Sequence, residues 1–197
     1  LIEISNSINE LVASRRAGRT QQPNSDLAIW RLSAMSPEAF EKAHAALRFF
    51  SGILRDAQMY GVSPLDSKAF VSFALKSLGL SQPKEFLDST KDDDIVEIYD
   101  LSGIQLFRNM RFFEVTSYCL ADLLLFEWTE LFERSSKVME LMHERCGQLL
   151  SGNSNMLPMS IPRHPIREIL AEPSQIVMVE FGSLGLLRNK AGEPAGF

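Results

Sequence analysis

In the first 90 residues apolar positions recur about every three to four places, the period of a helix face. Phe40, Ala43, Leu47, Phe50 and Leu54 form one such stripe. Ser36 can cap its start, Pro37 suits the first turn, and Glu38 and Glu41 favour the positive end of the helix dipole. Gly61 closes this helix. The start signal returns at Ser63-Pro64-Leu65-Asp66, and Phe70, Phe73, Ala74 and Leu78 then share a face until Gly79. A shorter helix is predicted over Gln82 to Leu87, capped by Ser81, with Pro83 near its start. Residues 36–90 therefore read as a helical module. Upstream, Ile4, Ile8, Leu11 and Val12 mark a helical stripe over residues 1–16, and the polar stretch AGRTQQPNSD makes 17–35 a linker.

Past Lys91-Asp92-Asp93-Asp94, read as a solvated connector, the period changes to two. Ile95, Val96, Ile98 and Tyr99 form a β-rich run, Asp100-Leu101-Ser102-Gly103 has turn chemistry, and Ile104 to Phe107 is extended again, which predicts a hairpin. Helical patterns follow over Asn109 to Leu125 and from Ser135 or Ser136 to Leu150, with Gly152 and Asn153 as the stop. The segment Ser154 to Arg163 is polar and carries prolines. Strands are predicted at Ile166 to Leu170, at Gln175 to Arg188, and after the turn Asn189 to Pro194.

Several of these pieces resemble the PAS family of sensory domains. Ile95 to Ile104 is similar to that family's opening hairpin, and Asn109-Met110-Arg111-Phe112-Phe113 to the exit from its second strand. Ser117-Tyr118-Cys119-Leu120-Ala121-Asp122-Leu123-Leu124 resembles its "G-Y-S-x-E-E-L" segment, with Ser117 in place of glycine. Trp128-Thr129-Glu130-Leu131-Phe132 leads into a long helix, and Lys190 to Gly196 resembles the "D-G-x-x-x-G" turn, with Ala191 in place of aspartate. The resemblance covers residues 95–197, within a domain read as 91–197. It implies an α+β fold: a five-stranded antiparallel PAS-like sheet with helices inserted between strands 2 and 3, preceded by the helical module. It also implies a sensory, signal-relay role without catalysis. Homodimers would form through a flanking helix bearing Ile4, Ile8, Leu11 and Val12, and the output domain would lie outside this chain. The chain opens without methionine and stops inside a predicted strand, so it reads as a piece of something longer.

Composition narrows the chemistry. Hydrophobic residues at 45% are too many for a disordered chain, and a net charge of −5 disfavours a nucleic-acid surface. The predicted helix holding Phe70 to Leu78 offers only Lys68 and Lys76 as a DNA reader. No apolar run reaches the ~18 residues of a membrane span. Cys119 and Cys146 sit among apolar residues, which suits buried thiols in a reducing cytoplasm. The histidines His44, His143 and His164 have no metal-ligand spacing, and no phosphate loop or nucleophile elbow occurs. Photosensors of the PAS family use a cysteine where this chain has Arg108, Asn109 and Met110, and His143 lies at the edge of its helix stripe, a poor haem ligand. No cofactor is therefore expected. Phe112, Phe113, Tyr118, Trp128, Phe132 and Met142 would line the concave face of such a sheet, either as a packed core or as a pocket for a small apolar ligand.

Overall fold

A computed structural model of the chain describes residues 31, 33–101, 105–118, 122, 128–151, 155–170 and 174–197. Ile4, Ile8, Leu11 and Val12, the predicted helix they mark, and Cys119 lie outside the described residues.

Two helices form where the caps placed them. Helix α1 spans Pro37–Met59, with the Ser36 hydroxyl accepting from the Ala39 N–H. Helix α2 spans Ser67–Leu78; Asp66 caps it through the Ala69 N–H, and Gly79 ends it in the left-handed conformation at φ 67°. Only glycine takes that conformation without a steric penalty. Helix α3, Lys84–Ser89, begins later than predicted and has no side-chain cap. Ser81 is drawn instead into a bridge with Arg188, exchanging backbone bonds of 2.8 and 2.9 Å.

The predicted hairpin appears as β1 (Glu97–Tyr99) and β2 (Gln105–Arg108), antiparallel, with Glu97 opposite Arg108 and Ile98 opposite Phe107. Helix α4 (Met110–Val115) follows, then the short α5 (Trp128–Leu131), β3 (Phe132–Glu133) and α6 (Ser136–Leu150), the last capped by Ser135. Strand β4 runs over Met156–Glu168, β5 over Ile176–Gly185, β6 over Leu187–Arg188 and β7 over Pro194–Gly196.

The fold is α+β, but among the described residues the five-stranded sheet expected from the PAS resemblance does not form. The strands divide into a two-stranded sheet β1–β2, a three-stranded sheet β3–β4–β5 and a two-stranded sheet β6–β7. The predicted strand Gln175 to Arg188 breaks at Leu186, whose N–H turns away to the Asn155 carbonyl at 2.8 Å. That leaves β6 outside the β3–β4–β5 sheet, paired with β7 and bridged to Ser81 through Arg188. The β1–β2 and β6–β7 sheets touch through one isolated bridge, Asp100 to Gly196, flanked by two bonds between Tyr99 and Phe197. The approach there is so close that a Cβ on Gly196 would collide with the Tyr99 carbonyl oxygen.

The segment read as a proline-bearing connection, Ser154 to Arg163, is mostly strand. Pro158, Pro162 and Pro165 all fall within β4, and its pairing with β5 shifts register on either side of Ile161. Proline fits a strand where its nitrogen faces an unpaired side or a bulge. β4 meets both conditions, since β3 pairs with it only at Arg167 and Glu168.

One continuous core joins the helical module to the strands. Leu47, Phe50 and Ile53 of α1, Phe70 and Val71 of α2, Ile98 and Phe107 of the hairpin, Phe112 and Phe113 of α4, Leu131, Phe132 and Ile166 are all buried in it. Phe107 stands against Phe50 and Phe70, with ring centroids 5.7 and 5.0 Å away. A second, smaller cluster seats α6 on the β4–β5 ribbon through Val138, Leu141, Met142, Ile161, Phe181 and Leu184.

Candidate functional site

Successive strand side chains face opposite sides, and the hairpin uses both. Ile98 and Phe107 face α1 and α2 and are nearly inaccessible, at 3% and 1% exposure. Glu97, Tyr99 and Arg108 project the other way, towards α4 and the chain after α5. Arg108 is the buried charge there, its side chain only 4% exposed. Its Nη2 donates to the Glu97 carboxylate at 2.9 Å and to the Tyr99 hydroxyl at 3.3 Å. The Gln105 amide oxygen, turned to suit its neighbours, accepts from Arg108 Nε and Nη2 at 2.6 and 2.7 Å. The Tyr99 hydroxyl donates to Glu97 at 2.8 Å. Beneath, the guanidinium lies 3.8 Å from the centre of the Phe112 ring. Nη1 of Arg108 is buried and has no hydrogen-bond partner.

Arg134 lies over the Phe132 ring at 5.1 Å and within electrostatic reach of Glu97, Tyr99 and Arg108. Burial chiefly pulls its pKa down; Glu97 opposes that shift and the like charge of Arg108 adds to it. Burial chiefly, reinforced by Glu97, pushes the Tyr99 phenol far up, so it stays a neutral donor. The Tyr99 ring stacks on Phe197, centroids 5.5 Å apart. The patch thus sets buried charge, a phenol and an amide against the Phe112 and Phe132 rings.

The aromatic residues anticipated for a concave face are partly brought together. Phe112 packs edge-on to Phe113 and Phe132, at 5.5 and 6.1 Å, and Tyr118 edge-on to Phe132 at 5.3 Å. All four are buried, at 5% exposure or less, as parts of the core. Met142 is not among them: it belongs to the smaller cluster under α6. The Trp128 side chain lies outside what is described.

Tyr118 does more than fill space. Its hydroxyl donates to the Leu131 carbonyl and accepts from the Ile169 and Leu170 N–H groups at 3.0 and 3.2 Å. Burial raises its pKa to about 12, with the backbone N–H groups opposing and Glu168 assisting the rise. Beside it the fully buried Glu168 accepts from the Ser117 N–H at 2.7 Å, and the Gln175 amide donates to the Ser117 hydroxyl. This network ties the end of α5 and the start of β5 to the loop after α4.

The remaining candidates take plain positions. His143 is exposed, His164 stacks on Phe181, and Cys146 is a free, half-buried thiol whose pKa burial raises. Among the described residues no group of three or more metal-ligating side chains gathers, and no helix is long and apolar enough to cross a membrane.

Sequence reasoning missed the Arg108–Arg134 patch. One signal was available: with the turn at residues 100–103, Glu97 and Arg108 fall opposite each other as the two charges of the paired strands. Arg134 had none, because only the tertiary fold brings it to the strand. Comparisons with protein families, with curated proteins and with solved structures find no match to this chain.

Proposed function

We propose that the chain is a non-catalytic sensory relay of the cytoplasm, in which hairpin β1–β2 passes a structural change between its polar face and the helical module. The observation that carries this reading is the hairpin's double engagement. Residues one position apart enter different environments: Ile98 and Phe107 lock into α1 and α2, whereas Glu97, Tyr99 and Arg108 form a charged network on the opposite side. A rigid strand pair with two occupied faces transmits displacement, because a close-packed interior does not absorb it. A tightly packed Phe107 leaves little slack between the two faces. Dimerisation through Ile4, Ile8, Leu11 and Val12, with output in another domain, remains part of this proposal.

Hydrogen exchange followed by mass spectrometry tests the relay in the variant Glu97→Gln, which alters only the polar face. The reading expects amide exchange to rise at least threefold in α1 around Leu47–Ala57 and in α2 around Phe70–Leu75, with α6 unchanged. Helix α6 sits on its own cluster and reports global loosening. Exchange that rises only in the hairpin and α4, or that rises everywhere alike, overturns the reading.

A further inference from the structure

Sheet β3–β4–β5 ends at β5, and among the described residues nothing pairs with the outer edge of that strand. Ile176–Gly185 contains no proline, and its single charge is Glu180. Both register shifts against β4 put the extra residue in β4, so β5 itself runs as a regular strand. A regular, uncharged and uncovered edge pairs readily with another strand. We propose that β5 is a self-association edge, on which a second copy of this chain adds its own β5, antiparallel, about a two-fold axis at Met178.

The direction of the backbone fixes which residues take part. The Glu168 N–H donates to the Gln175 carbonyl at 2.9 Å, so that pair bonds within the sheet. By antiparallel alternation Val177 and Val179 also bond to β4, whereas Ile176, Met178 and Glu180 turn their N–H and carbonyl groups outwards. Pro165 stands opposite Met178, at a pair where the alternation asks no bond of its missing N–H. Two copies joined at Met178 would exchange about six backbone bonds, from Met178 to its own counterpart and between Ile176 and Glu180 in both directions.

The side chains favour the same register. Ile176 and Met178 are 61% and 47% exposed on the face turned from the core, while Val177, Val179 and Phe181 pack inward. An axis at Glu180 would set two carboxylates directly against each other. With the axis at Met178, each Glu180 falls beside Ile176 of the second copy, and that isoleucine has Arg167 as its other cross-strand neighbour. Carboxylate and guanidinium of different copies then approach across one apolar side chain. A two-fold contact supplies this match twice, and a second copy carries it without any further requirement.

Sedimentation velocity of the full chain reads the association. A contact this short, below the ~1,200 Å² of stable interfaces, should give a dissociation constant on the order of 100 µM. Met178→Pro removes an outward N–H and no bond to β4, and Met178→Lys sets two like charges on the axis. Each should raise the dissociation constant at least tenfold, with circular dichroism showing the fold retained. If the proline variant unfolds, Met178→Lys carries the test, since it changes only an exposed side chain. Single cysteines read the register in a background of Cys119→Ser and Cys146→Ser. Met178→Cys would place its Cα about 5.5 Å from its counterpart, within disulfide reach, whereas Ile176→Cys would stand about 14 Å from its own. Mild oxidation should therefore link the first and not the second. A chain that stays monomeric to about 1 mM, well above the expected constant, leaves the edge to another protein's strand and overturns the proposal. Association unchanged in both Met178 variants overturns it too, as does cross-linking that Ile176→Cys matches. The relay reading is tested apart from this: Leu11→Asp disturbs the flanking helix alone, and association lost there but kept in the Met178 variants sinks the β5 contact and keeps the helical one.

Discussion

Replacing Tyr118 with phenylalanine isolates the work of one hydroxyl. The ring stays, so the edge-on contact with Phe132 at 5.3 Å survives and no cavity opens. Three hydrogen bonds are lost, to the Leu131 carbonyl and the Ile169 and Leu170 N–H groups. They are not equal losses. The Ile169 N–H also donates to the Leu131 carbonyl at 3.0 Å, so these two groups keep each other. The Leu170 N–H is the group that loses its bond to Tyr118, on a half-buried segment that water reaches in part. A net hydrogen bond is worth about 0.5–1.5 kcal/mol, and an abandoned buried donor costs about 1–3. The expected destabilisation is therefore about 1.5–3 kcal/mol, less than a simple sum of three bonds. In a chain of this length that corresponds to about 4–10 °C in Tm. Urea unfolding gives the measurement: the midpoint should fall while the m-value holds, because the surface exposed on unfolding is unchanged. A loss below about 0.5 kcal/mol at constant m would refute the claim that this hydroxyl pins α5 to the end of β4.

Three further outcomes follow from the same geometry. Because burial lifts the Tyr118 phenol to about 12, the folded state holds that proton more tightly than the unfolded chain. Its contribution is complete below the ordinary phenol value near 10 and is lost as pH rises through about 12; thermal melts from pH 8 to 11 should fall less steeply in Tyr118→Phe than in the wild type. Phe107→Ala empties a site between Phe50 and Phe70 and should cost about 3–5 kcal/mol by denaturant unfolding. Gly196→Ala forces a methyl group against the Tyr99 carbonyl, so amide exchange should quicken at Tyr99 and Phe197, whose mutual bonds are 2.8 and 2.9 Å, while α2 stays protected.

The helices were legible because their signals are local. Ser36, Asp66 and Gly79 satisfy or release backbone groups within a few residues, and those bonds are the ones seen. Ser81 carried an equally good cap signal and went elsewhere, since its partner Arg188 lies 107 residues on, beyond any window. β4 was missed for the opposite reason: its prolines argue against strand locally, and only its pairing with β5, bulged around Ile161, makes room for them. The five-stranded sheet failed at Leu186, a buried residue whose N–H goes to the Asn155 carbonyl and interrupts a continuous extended pattern. Burial of Phe112, Phe113, Tyr118 and Phe132 could be read from their aromatic character. Arg108 could not, because sequence rules place arginine outside unless a partner is known, and its partners come from two strands and a ring.

The prolines of β4 also bear on solubility. A strand of 13 residues whose far edge, among the described residues, is paired only at Arg167 and Glu168 is a template onto which another chain can grow. Pro158, Pro162 and Pro165 offer no N–H to an incoming strand, and the register shifts around Ile161 bend the ribbon away from the flat geometry that stacking requires. Replacing these prolines with valine would make the ribbon a better strand by local preference and a worse one for the cell, trading a blunted edge for a sticky one.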